Sequence, residues 1–381
     1  MRSVHSGHVQ HRSLQALCVA VFLGLLVLPL VGQAYSIGTD VETFEKRKPA
    51  PWPSAPRSSA EVDTWPQRFD AWLKDHFGFR NQLVLGYNVI RAKALGQSTS
   101  PHVARGRHEW LFYRGDNSIE QARGIARFAG GDADRWIDIM EQRQNWLAQR
   151  GIPMLMVAIP NKERVYREYL PRWMTKVHAE SHLDQINRRL VERKSPLIFM
   201  DLTSDLVSAK RDMKVYLKAD THWTIEAAVA VGYKKIMRWI QSIDKSVSIL
   251  SDDEIERVSV FRDGYDLDLA RMIGVSSVSK EEEGIYKFRR ASLFRTNQAF
   301  NRGDVAVNVL SSIREVGPTV VWFRDSFTIS MYPYLADTFK KIVFVEHKGM
   351  KFDKEIVTEH RPQIVVYQFV ERFLNSPIPS E

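Results

Sequence analysis

Three side chains in this 381-residue sequence have the types needed for nucleophilic catalysis. Asp220 and His222 lie two positions apart in residues 220–224 (DTHWT), and Ser326 lies much later, in residues 324–327 (RDSF). A serine hydroxyl needs a base to take its proton, and the base needs a third group to hold its ring in the right tautomer. The pattern predicts Ser326 as nucleophile, His222 as base and Asp220 as the group that orients the base.

The serine lies where an active site is expected in an α/β protein. Residues 318–323 (PTVVWF) form a short apolar run that is typical of a strand buried in a parallel sheet, and the run stops at Arg324. Ser326 therefore follows the carboxyl end of a strand, where ligands bind in open α/β sheets. The next segment has helical spacing with Pro333 suited to a first helical position, and a helix N-terminus favours a developing oxyanion.

The histidine is expected on the loop that leads into a second helix. Thr224 is a suitable N-cap, and residues 225–243 place their apolar side chains along one stripe. Both motifs also have ordinary interpretations, because an Asp-x-His pair is often a hydrogen-bonded surface pair and a serine at a strand end often caps a helix. The residues alone leave both interpretations open.

Beyond the two motifs, the chain resembles the SGNH-hydrolase-like acetyltransferases of the alginate O-acetyltransferase type, AlgJ and AlgX. That family is known for an Asp-x-His-Trp-[Ser/Thr] signature and a later serine after a strand. The resemblance covers residues 44–374 and includes four further stretches: 75–80 (DHFGFR), 110–113 (WLFY), 159–171 (IPNKERVYREYLP) and 365–374 (VVYQFVERFL). It implies that Ser326, His222 and Asp220 form a catalytic triad on an SGNH-like fold.

Two departures from the ordinary SGNH pattern concern the nucleophile. The histidine block precedes the serine block here, which is the permuted order known for the resembled family. Arg324 stands two positions before Ser326, where ordinary SGNH hydrolases have glycine. The resemblance implies the backbone N–H of Ser326 as an oxyanion donor, with Asn161 or Arg324 as side-chain candidates. Asn161 fits equally a turn residue that follows the strand at 152–159.

Alternating strand and helix signals predict an α/β domain with a mostly parallel sheet covered on both faces. The strand-like runs are 154–159, 197–202, 320–323, 342–345 and 364–369, and the helical patterns include 135–150 and 183–194. The predicted organisation is an anchor at 1–35, a Pro-rich linker at 36–66, the SGNH-like domain at 67–375 and a tail at 376–381. Residues 251–302 break the rhythm and are interpreted either as an insertion over the active-site edge or as a solvated loop.

A membrane anchor is predicted at the N-terminus. Arg2 and Arg12 precede an apolar run at 14–32 of about 19 residues, just long enough to span a bilayer core. The positive flank keeps the N-terminus in the cytoplasm and places the chain after Tyr35 in the periplasm. A retained inner-membrane anchor and a cleaved periplasmic form both fit, because residues 32–34 resemble a processing site. The Pro-rich residues 49–66 predict a semi-rigid, extended spacer.

Composition argues against several classes of protein. The single cysteine, Cys18, lies in the apolar run, so no intramolecular disulfide and no thiolate metal site is expected. We expect neither a metal nor a cofactor. The net charge of +9 fits attraction to an anionic polysaccharide or to anionic lipid. Lysine and arginine are scattered without a recognisable nucleic-acid-binding fold, so a nucleic-acid partner is not expected.

The resulting hypothesis is a membrane-anchored O-acetyltransferase that acts on an exopolysaccharide, alginate-like or another exported polymer, through an acetyl-Ser326 intermediate. Coenzyme A thioesters are cytoplasmic, and the resemblance implies a membrane-bound O-acyltransferase that relays the acetyl group to the periplasm. The C-terminal carbohydrate-binding module of AlgX relatives is not expected after Leu374, which makes the AlgJ type the nearer one. Two alternatives are a polysaccharide acetyl esterase and a non-catalytic, polysaccharide-binding subunit of an export complex.

Overall fold

The computed structural model describes residues 5–39, 48–174, 180–347 and 349–378. The chain divides into two compact units, Met1–Gln97 and Ser98–Glu381. The start of the SGNH-like domain at residue 67 stays a prediction, and residues 67–97 fall in the first of these units.

The first unit is helical in its described part. Its helices are α1 (His5–Ala34), α2 (Ser59–His76) and α3 (Arg80–Val89), and α3 continues as a π-helical segment, Ile90–Ala94. Within α1, Leu14–Ala34 has a mean hydropathy of 2.6 and is long and apolar enough to cross a membrane, by length and composition.

The linker predicted to reach Pro66 ends earlier, because α2 begins at Ser59. The Ser58 side chain caps this helix by accepting a hydrogen bond from the Glu61 backbone N–H at 3.3 Å. Aromatic rings at helical spacing then pack on one another and on a tryptophan of the preceding segment; these are Trp65, Phe69, Trp72 and Trp52. This packing offsets the missing N–H of Pro66, which lies inside the helix.

The second unit contains eleven strands in its described part. In chain order they are β1 (Val103–Arg105), β2 (Leu111–Tyr113), β3 (Met154–Ile159), β4 (Phe199–Asp201), β5 (Ile255–Asp263), β6 (Lys280–Phe288), β7 (Phe294–Arg302), β8 (Val305–Ser312), β9 (Thr319–Arg324), β10 (Lys341–Glu346) and β11 (Ile364–Val370).

Helices connect most of these strands. They are α4 (Ser118–Ala122), α5 (Asp132–Ala148), α6 (Lys162–Val165), α7 (His182–Glu192), α8 (Thr203–Ala209), α9 (Ile225–Ala227), α10 (Lys234–Ile243), α11 (Asp268–Met272), α12 (Tyr332–Thr338) and α13 (Lys354–His360). A π-helical segment, Ala228–Tyr233, joins α9 to α10, so the helix predicted at 225–243 is continuous but locally widened.

Seven strands form the main sheet in the order β4-β3-β11-β9-β10-β8-β7. The first five pair in parallel, and β8 and β7 add antiparallel strands at one edge. All seven residues of β11 are buried, as expected for a central parallel strand covered on both faces. The prediction of a mostly parallel sheet flanked by helices is confirmed.

Side chains from the two faces of this sheet enter two separate hydrophobic cores, because successive residues of a strand point in opposite directions. On β9, Trp322 joins the core that also holds Trp223 and Phe327. Its neighbour Phe323 joins the other core, together with Trp136 of α5. The predicted catalytic motifs and α5 therefore pack against opposite faces.

The stretch 251–302 contains more structure than a solvated loop. β5 and β6 form an antiparallel hairpin with Ile255 paired to Phe288 and Asp263 paired to Lys280. β7 belongs to the main sheet, where it pairs with β8. The sequence pattern missed β7 because nearly all of its side chains are exposed, so it has no apolar alternation to detect.

Candidate active site

Ser326 begins a short 3-10 segment, Ser326–Met331, immediately after β9. The preceding residue, Asp325, is buried, and its carboxylate accepts hydrogen bonds from the backbone N–H groups of Phe327 at 2.9 Å and Val370 at 2.6 Å. These bonds tie the start of the segment to the end of β11. The serine is thus held at the carboxyl edge of the sheet by its neighbour.

The three side chains singled out in the sequence form one hydrogen-bonded chain. The His222 ring contacts Asp220 Oδ1 through Nδ1 at 2.9 Å and Ser326 Oγ through Nε2 at 2.9 Å. The Asp220 carboxylate also accepts a hydrogen bond from the His222 backbone N–H at 2.8 Å. With Nδ1–H donating to the carboxylate, Nε2 is left to accept the serine proton.

Asp220 is favourably placed as an ionised partner for the histidine. Burial raises the pKa of its carboxyl group, but hydrogen bonds from His222 and the nearby charge of Lys162 lower it further than burial raises it. The net effect is a pKa below the ordinary value for aspartate. The carboxylate therefore stays charged at neutral pH and can orient the imidazole ring.

A second carboxylate, Asp268 of α11, lies beside the same ring. Its Oδ2 is 3.6 Å from His222 Nδ1, and its Oδ1 accepts a hydrogen bond from the Thr221 backbone N–H at 2.7 Å. The Thr221 hydroxyl also donates to this carboxylate. Asp268 was missed in the sequence because it lies in the irregular stretch 251–302 and carries no motif.

The ligand atoms of Asp220, His222 and Asp268 lie within 4.8 Å of one another, a grouping that could hold a metal ion. The donor set fits poorly, however. Nδ1 of His222 faces the Asp220 carboxylate and Nε2 faces the serine hydroxyl, so neither ring nitrogen presents an unengaged lone pair to a cation. The contacts fit an orienting hydrogen-bond network better than a metal site.

Lys162 of α6 supports the backbone of the histidine loop, the segment that carries His222. Its buried ammonium group donates hydrogen bonds to the carbonyl oxygens of Leu217 at 3.1 Å, Lys218 at 2.9 Å and Asp220 at 2.6 Å. Burial lowers the pKa of Lys162 to about 8, although nearby carboxylates oppose this effect. One side chain thus binds three backbone acceptors, of which only the Lys218 carbonyl has another described partner, the Leu111 backbone N–H at 2.9 Å.

The β5–β6 hairpin holds the same loop from another side. Glu281 accepts hydrogen bonds from the backbone N–H groups of Lys218 at 2.8 Å and Ala219 at 2.7 Å. Glu283 accepts one from Ile225 at 2.6 Å and pairs with Arg262 at 3.0 Å. Because alternate residues of a strand face the same side, Glu281 and Glu283 of the charged run at 280–283 both bind the segment that carries His222.

Trp223 connects the histidine loop directly to the serine segment. Its indole Nε1–H donates to the Phe327 carbonyl oxygen at 2.8 Å, and the Phe327 ring lies 4.9 Å from the His222 ring. Gly232 of the π-helical segment gives this tryptophan room, because a Cβ there would lie 2.5 Å from Trp223 Cη2. The tryptophan of the DTHWT motif therefore fixes the distance between base and nucleophile.

The two side-chain oxyanion candidates have other partners. The buried Asn161 donates from Nδ2 to Gln121 Oε1 at 3.1 Å, and its backbone N–H donates to Glu371 Oε2 at 3.1 Å. The Arg324 guanidinium lies 3.8 Å from Glu346 and over the Tyr332 ring. None of the contacts described for Asn161 or Arg324 reaches Ser326, so neither side chain is placed as an oxyanion donor.

Comparison with known proteins agrees with this geometry. Residues 103–283 match the family described as "SGNH hydrolase-like domain, acetyltransferase AlgX", a segment that contains Asp220 and His222. The probable alginate O-acetylase AlgJ of Pseudomonas syringae pv. tomato is 24% identical over 216 residues, 56% of this chain and 49% of that protein. The corresponding protein of Pseudomonas putida is 29% identical over 143 residues, 37% of this chain and 35% of that protein.

Among solved structures, Bacillus cereus PatB1 with a sulfonyl adduct is similar in fold, with a TM-score of 0.50 and 15% sequence identity. The match covers 72% of this chain and 98% of that one. The chain spans about half the length, or less, of the curated relatives it matches.

The parallel sheet, the serine after β9 and the histidine loop fit the SGNH-hydrolase-like fold. Over the stretches that match, the chain is similar to proteins of the AlgJ/AlgX type.

Proposed function

We propose that this chain is an O-acetyltransferase that transfers acetyl groups to hydroxyls of an exported polysaccharide through an acetyl-Ser326 intermediate. The observation that carries the proposal is the continuous hydrogen-bonded chain from Asp220 through His222 to the Ser326 hydroxyl. This arrangement makes the hydroxyl a nucleophile at neutral pH, because a base held in the correct tautomer is within reach of its proton.

In the first half-reaction, Ser326 Oγ attacks the carbonyl carbon of an acetyl ester while His222 Nε2 takes the serine proton. The tetrahedral intermediate then collapses, the bond to the donor oxygen breaks, and His222 returns the proton to that oxygen. The products are acetyl-Ser326 and the deacylated donor alcohol. Asp220 stabilises the imidazolium that forms in between, through the 2.9 Å contact to Nδ1.

In the second half-reaction, a sugar hydroxyl attacks the acetyl-Ser326 carbonyl carbon and gives its proton to His222. Collapse breaks the bond to Ser326 Oγ, which takes the proton back, and releases the acetylated sugar. The oxyanion donor assigned here is the Ser326 backbone N–H at the start of the 3-10 segment, a position where N–H groups lack helical partners. Asn161 and Arg324 are not assigned to this role, because their described partners lie elsewhere.

The relatives support the proposed polymer, and the apolar span supports the proposed location of the reaction. The AlgJ relatives are named for alginate O-acetylation, which supports an alginate-like acceptor. A basic protein attracts such a polyanion by long-range electrostatics. The apolar span in α1 supports a single-pass inner-membrane protein with its catalytic domain in the periplasm. A membrane-bound O-acyltransferase would then supply the acetyl group from the cytoplasm.

Intact-mass measurement of the protein after incubation with a small activated acetyl ester tests the intermediate. The wild-type chain should gain one acetyl group, and Ser326→Ala should gain none and lose ester turnover by at least about 10³-fold. Ser330→Ala, in the same 3-10 segment, is the matched control and should behave as wild type. Acetylation of Ser326→Ala through a turnover-competent intermediate would remove Ser326 from its proposed role.

Product analysis in the presence of an oligosaccharide then separates transfer from hydrolysis, since the same three side chains serve both reactions. Transfer predicts acetylated oligosaccharide and little free acetate, because the acceptor must outcompete water for the acyl group. Free acetate as the main product at saturating acceptor would instead identify an esterase.

A further inference from the structure

A cleft with polar and charged lining residues lies on α5, away from the loop that carries His222. It encloses about 270 Å³, near the lower end of the roughly 300–1,000 Å³ typical of small-molecule sites. Residues of α5, of the segment before α13 and of the first position of α13 line it, among them Gln142, Arg143, Asn145, Trp146, Phe352 and Lys354. The α5 helix packs on the sheet face opposite to Trp223 and Phe327, so this cleft is separate from the candidate active site.

Arg143 is the distinctive residue of this cleft, because it is a buried cation without an acidic partner among the described residues. It is 5% exposed, and its Nη1 donates to the Met350 carbonyl oxygen at 2.8 Å. Its guanidinium lies 5.6 Å from the centre of the Phe352 ring. Burial lowers the pKa of Arg143, which records the cost of holding this charge away from water. Buried charges in proteins are normally paired, so an anion at this position would complete the arrangement.

Two further cations lie beside Trp146, and one of them, Lys354, lines the cleft. The Lys354 ammonium lies 5.9 Å from the centre of the Trp146 ring, and the Arg150 guanidinium lies 3.9 Å from it. Neither forms an ion pair within the part of the chain that the structure describes. The nearby Asp353 carboxylate is engaged elsewhere, since it accepts hydrogen bonds from the Glu355 and Ile356 backbone N–H groups at the start of α13. The cleft therefore carries a net positive charge.

The remaining lining residues suit a sugar better than a simple ion. Trp146 and Phe352 provide apolar ring surface, and their centroids lie 6.0 Å apart. The side-chain amides of Gln142 and Asn145 line the cleft, and none of the described hydrogen bonds uses them. Amides can both donate to and accept from hydroxyl groups. Ring surface, amides and cations together match the three features of a uronic acid: a ring, hydroxyls and a carboxylate.

We propose that the α5 cleft binds one carboxylate-bearing sugar unit, with the carboxylate facing Arg143 and Lys354. This site makes no contact with Ser326 and takes no part in bond making. Its role is to retain a uronic-acid polymer on the protein, which raises the effective concentration of chain segments near the domain. The inference stands on the cleft alone and does not require the acetyl-transfer proposal.

Isothermal titration calorimetry of the full-length protein in detergent tests the site, with a galacturonic acid tetrasaccharide as the probe. The wild-type chain should bind the probe, and Lys354→Glu should weaken that binding roughly fivefold or more, because it replaces attraction with like-charge repulsion. Lys245→Glu makes the same charge change at an exposed lysine after α10 and is the matched control. It should bind as wild type. Hydrolysis of a small acetyl ester should be equal in all three proteins.

Arg143→Gln should weaken binding more strongly than Lys354→Glu, provided that its circular dichroism spectrum and melting curve match those of the wild type. If Arg143→Gln fails to fold, Lys354→Glu decides the question, since Lys354 is exposed. Unchanged probe binding by Lys354→Glu would overturn the proposal. Equal affinity for a neutral tetrasaccharide such as maltotetraose would show that the site does not recognise the carboxylate. Equal affinity for inorganic sulfate would show that it does not recognise the sugar ring.

Discussion

Lys162 holds the backbone that carries His222 without touching the histidine itself. Its three hydrogen bonds to carbonyl oxygens end at Asp220, the residue that orients the imidazole ring. A buried ammonium group is costly, and it persists where several acceptors compensate the lost hydration. Lys162 is therefore a positioning residue whose effect on catalysis passes through the Asp220 backbone.

Replacing Lys162 with methionine should lower kcat by roughly 10²-fold with a smaller change in KM, because a displacement of about 1 Å at the reacting groups costs about that much. The unpaired carbonyl groups should also lower the free energy of unfolding by about 2 kcal/mol or more. Steady-state kinetics with a small acetyl ester and urea unfolding measure both effects. Lys210→Met is the control, because Lys210 also donates to a carbonyl, that of Val165 at 2.6 Å, but outside the histidine loop. An unaltered kcat in Lys162→Met would show that the loop holds its shape without the lysine.

The depressed pKa of Lys162 also predicts how stability depends on pH. The folded chain releases the Lys162 proton at about pH 8, whereas the ordinary value is 10.5. Between these values the unfolded chain binds more protons at this residue than the folded chain, so its contribution to the free energy of unfolding rises with pH. Urea unfolding at pH 7.5 and pH 9.5 should therefore show the wild type gaining stability relative to Lys162→Met at the higher pH. A constant or shrinking difference would contradict the assignment.

Sequence reasoning could identify the three side chains that the structure joins by hydrogen bonds, but not the residues that support them. Asp220, His222 and Ser326 have characteristic types and spacing, and each follows or precedes a recognisable strand or helix. Lys162, Asp268 and Glu281 act through contacts with distant backbone groups, which leave no periodic or local signal. The contact of Asn161 Nδ2 with Gln121 could not be anticipated for a related reason, since Gln121 lies 40 positions away in the sequence.

At the scale of elements, the β5–β6 hairpin is part of the framework of the candidate active site. Its two carboxylates on one side, Glu281 and Glu283, bind backbone N–H groups at both ends of the segment 218–225. Lys162 binds carbonyl groups of the same segment. The hairpin therefore binds backbone N–H groups of this loop, and Lys162 of α6 binds its backbone carbonyl groups.

Glu281→Ala should reduce kcat about tenfold or more, because two buried N–H groups lose a charged acceptor and the loop loosens. Glu282→Ala is the control on the same strand, since Glu282 points to the other side and is exposed. The kinetic comparison of the two variants with a small acetyl ester is decisive. Similar losses in both variants would mean that the hairpin acts through its overall charge and not through the bonds of Glu281.

The parallel strands were predictable because each is a short, continuous apolar run, and the predicted strand at 154–159 coincides with β3. β5, β6 and β7 were not, because most of their side chains are exposed or half-buried and so give no apolar run to detect. The α2 helix, which lies partly in the predicted spacer, was missed because a local signal was misleading. Pro66 signalled extended chain, but the aromatic packing along α2 overrode that local preference.

At the scale of the whole molecule, the proposed function depends on a membrane tether. A chain that begins at Arg57, exported by a cleavable signal peptide, keeps the Ser58 cap of α2 and lacks the apolar span. It should hydrolyse a small ester as the full-length protein does, yet polymer acetylation in cells should fall strongly, because the anchor raises the effective concentration near the acetyl donor.

Acetyl content of the secreted polymer, measured by NMR, provides the readout for this tether. A control chain with an unrelated membrane-spanning helix in place of residues 14–34 should restore acetylation. Full acetylation by the untethered domain would refute the need for an anchor, and it would leave the roles of Ser326 and His222 untouched.

The middle of the five parallel strands is occupied by β11, which follows all the other described strands in the sequence. β3 is complete at Ile159, but its inner neighbour begins at Ile364, so at about 5–20 residues per second the growing chain waits roughly 10–40 seconds for that neighbour. During this time the inner edge of β3 lacks its partner, as does that of β9 once Arg324 has been made, and both are open to incorrect pairing. We therefore expect a chaperone to bind the incomplete sheet until late in translation. Chains that stop before Ile364 should be degraded without accumulating.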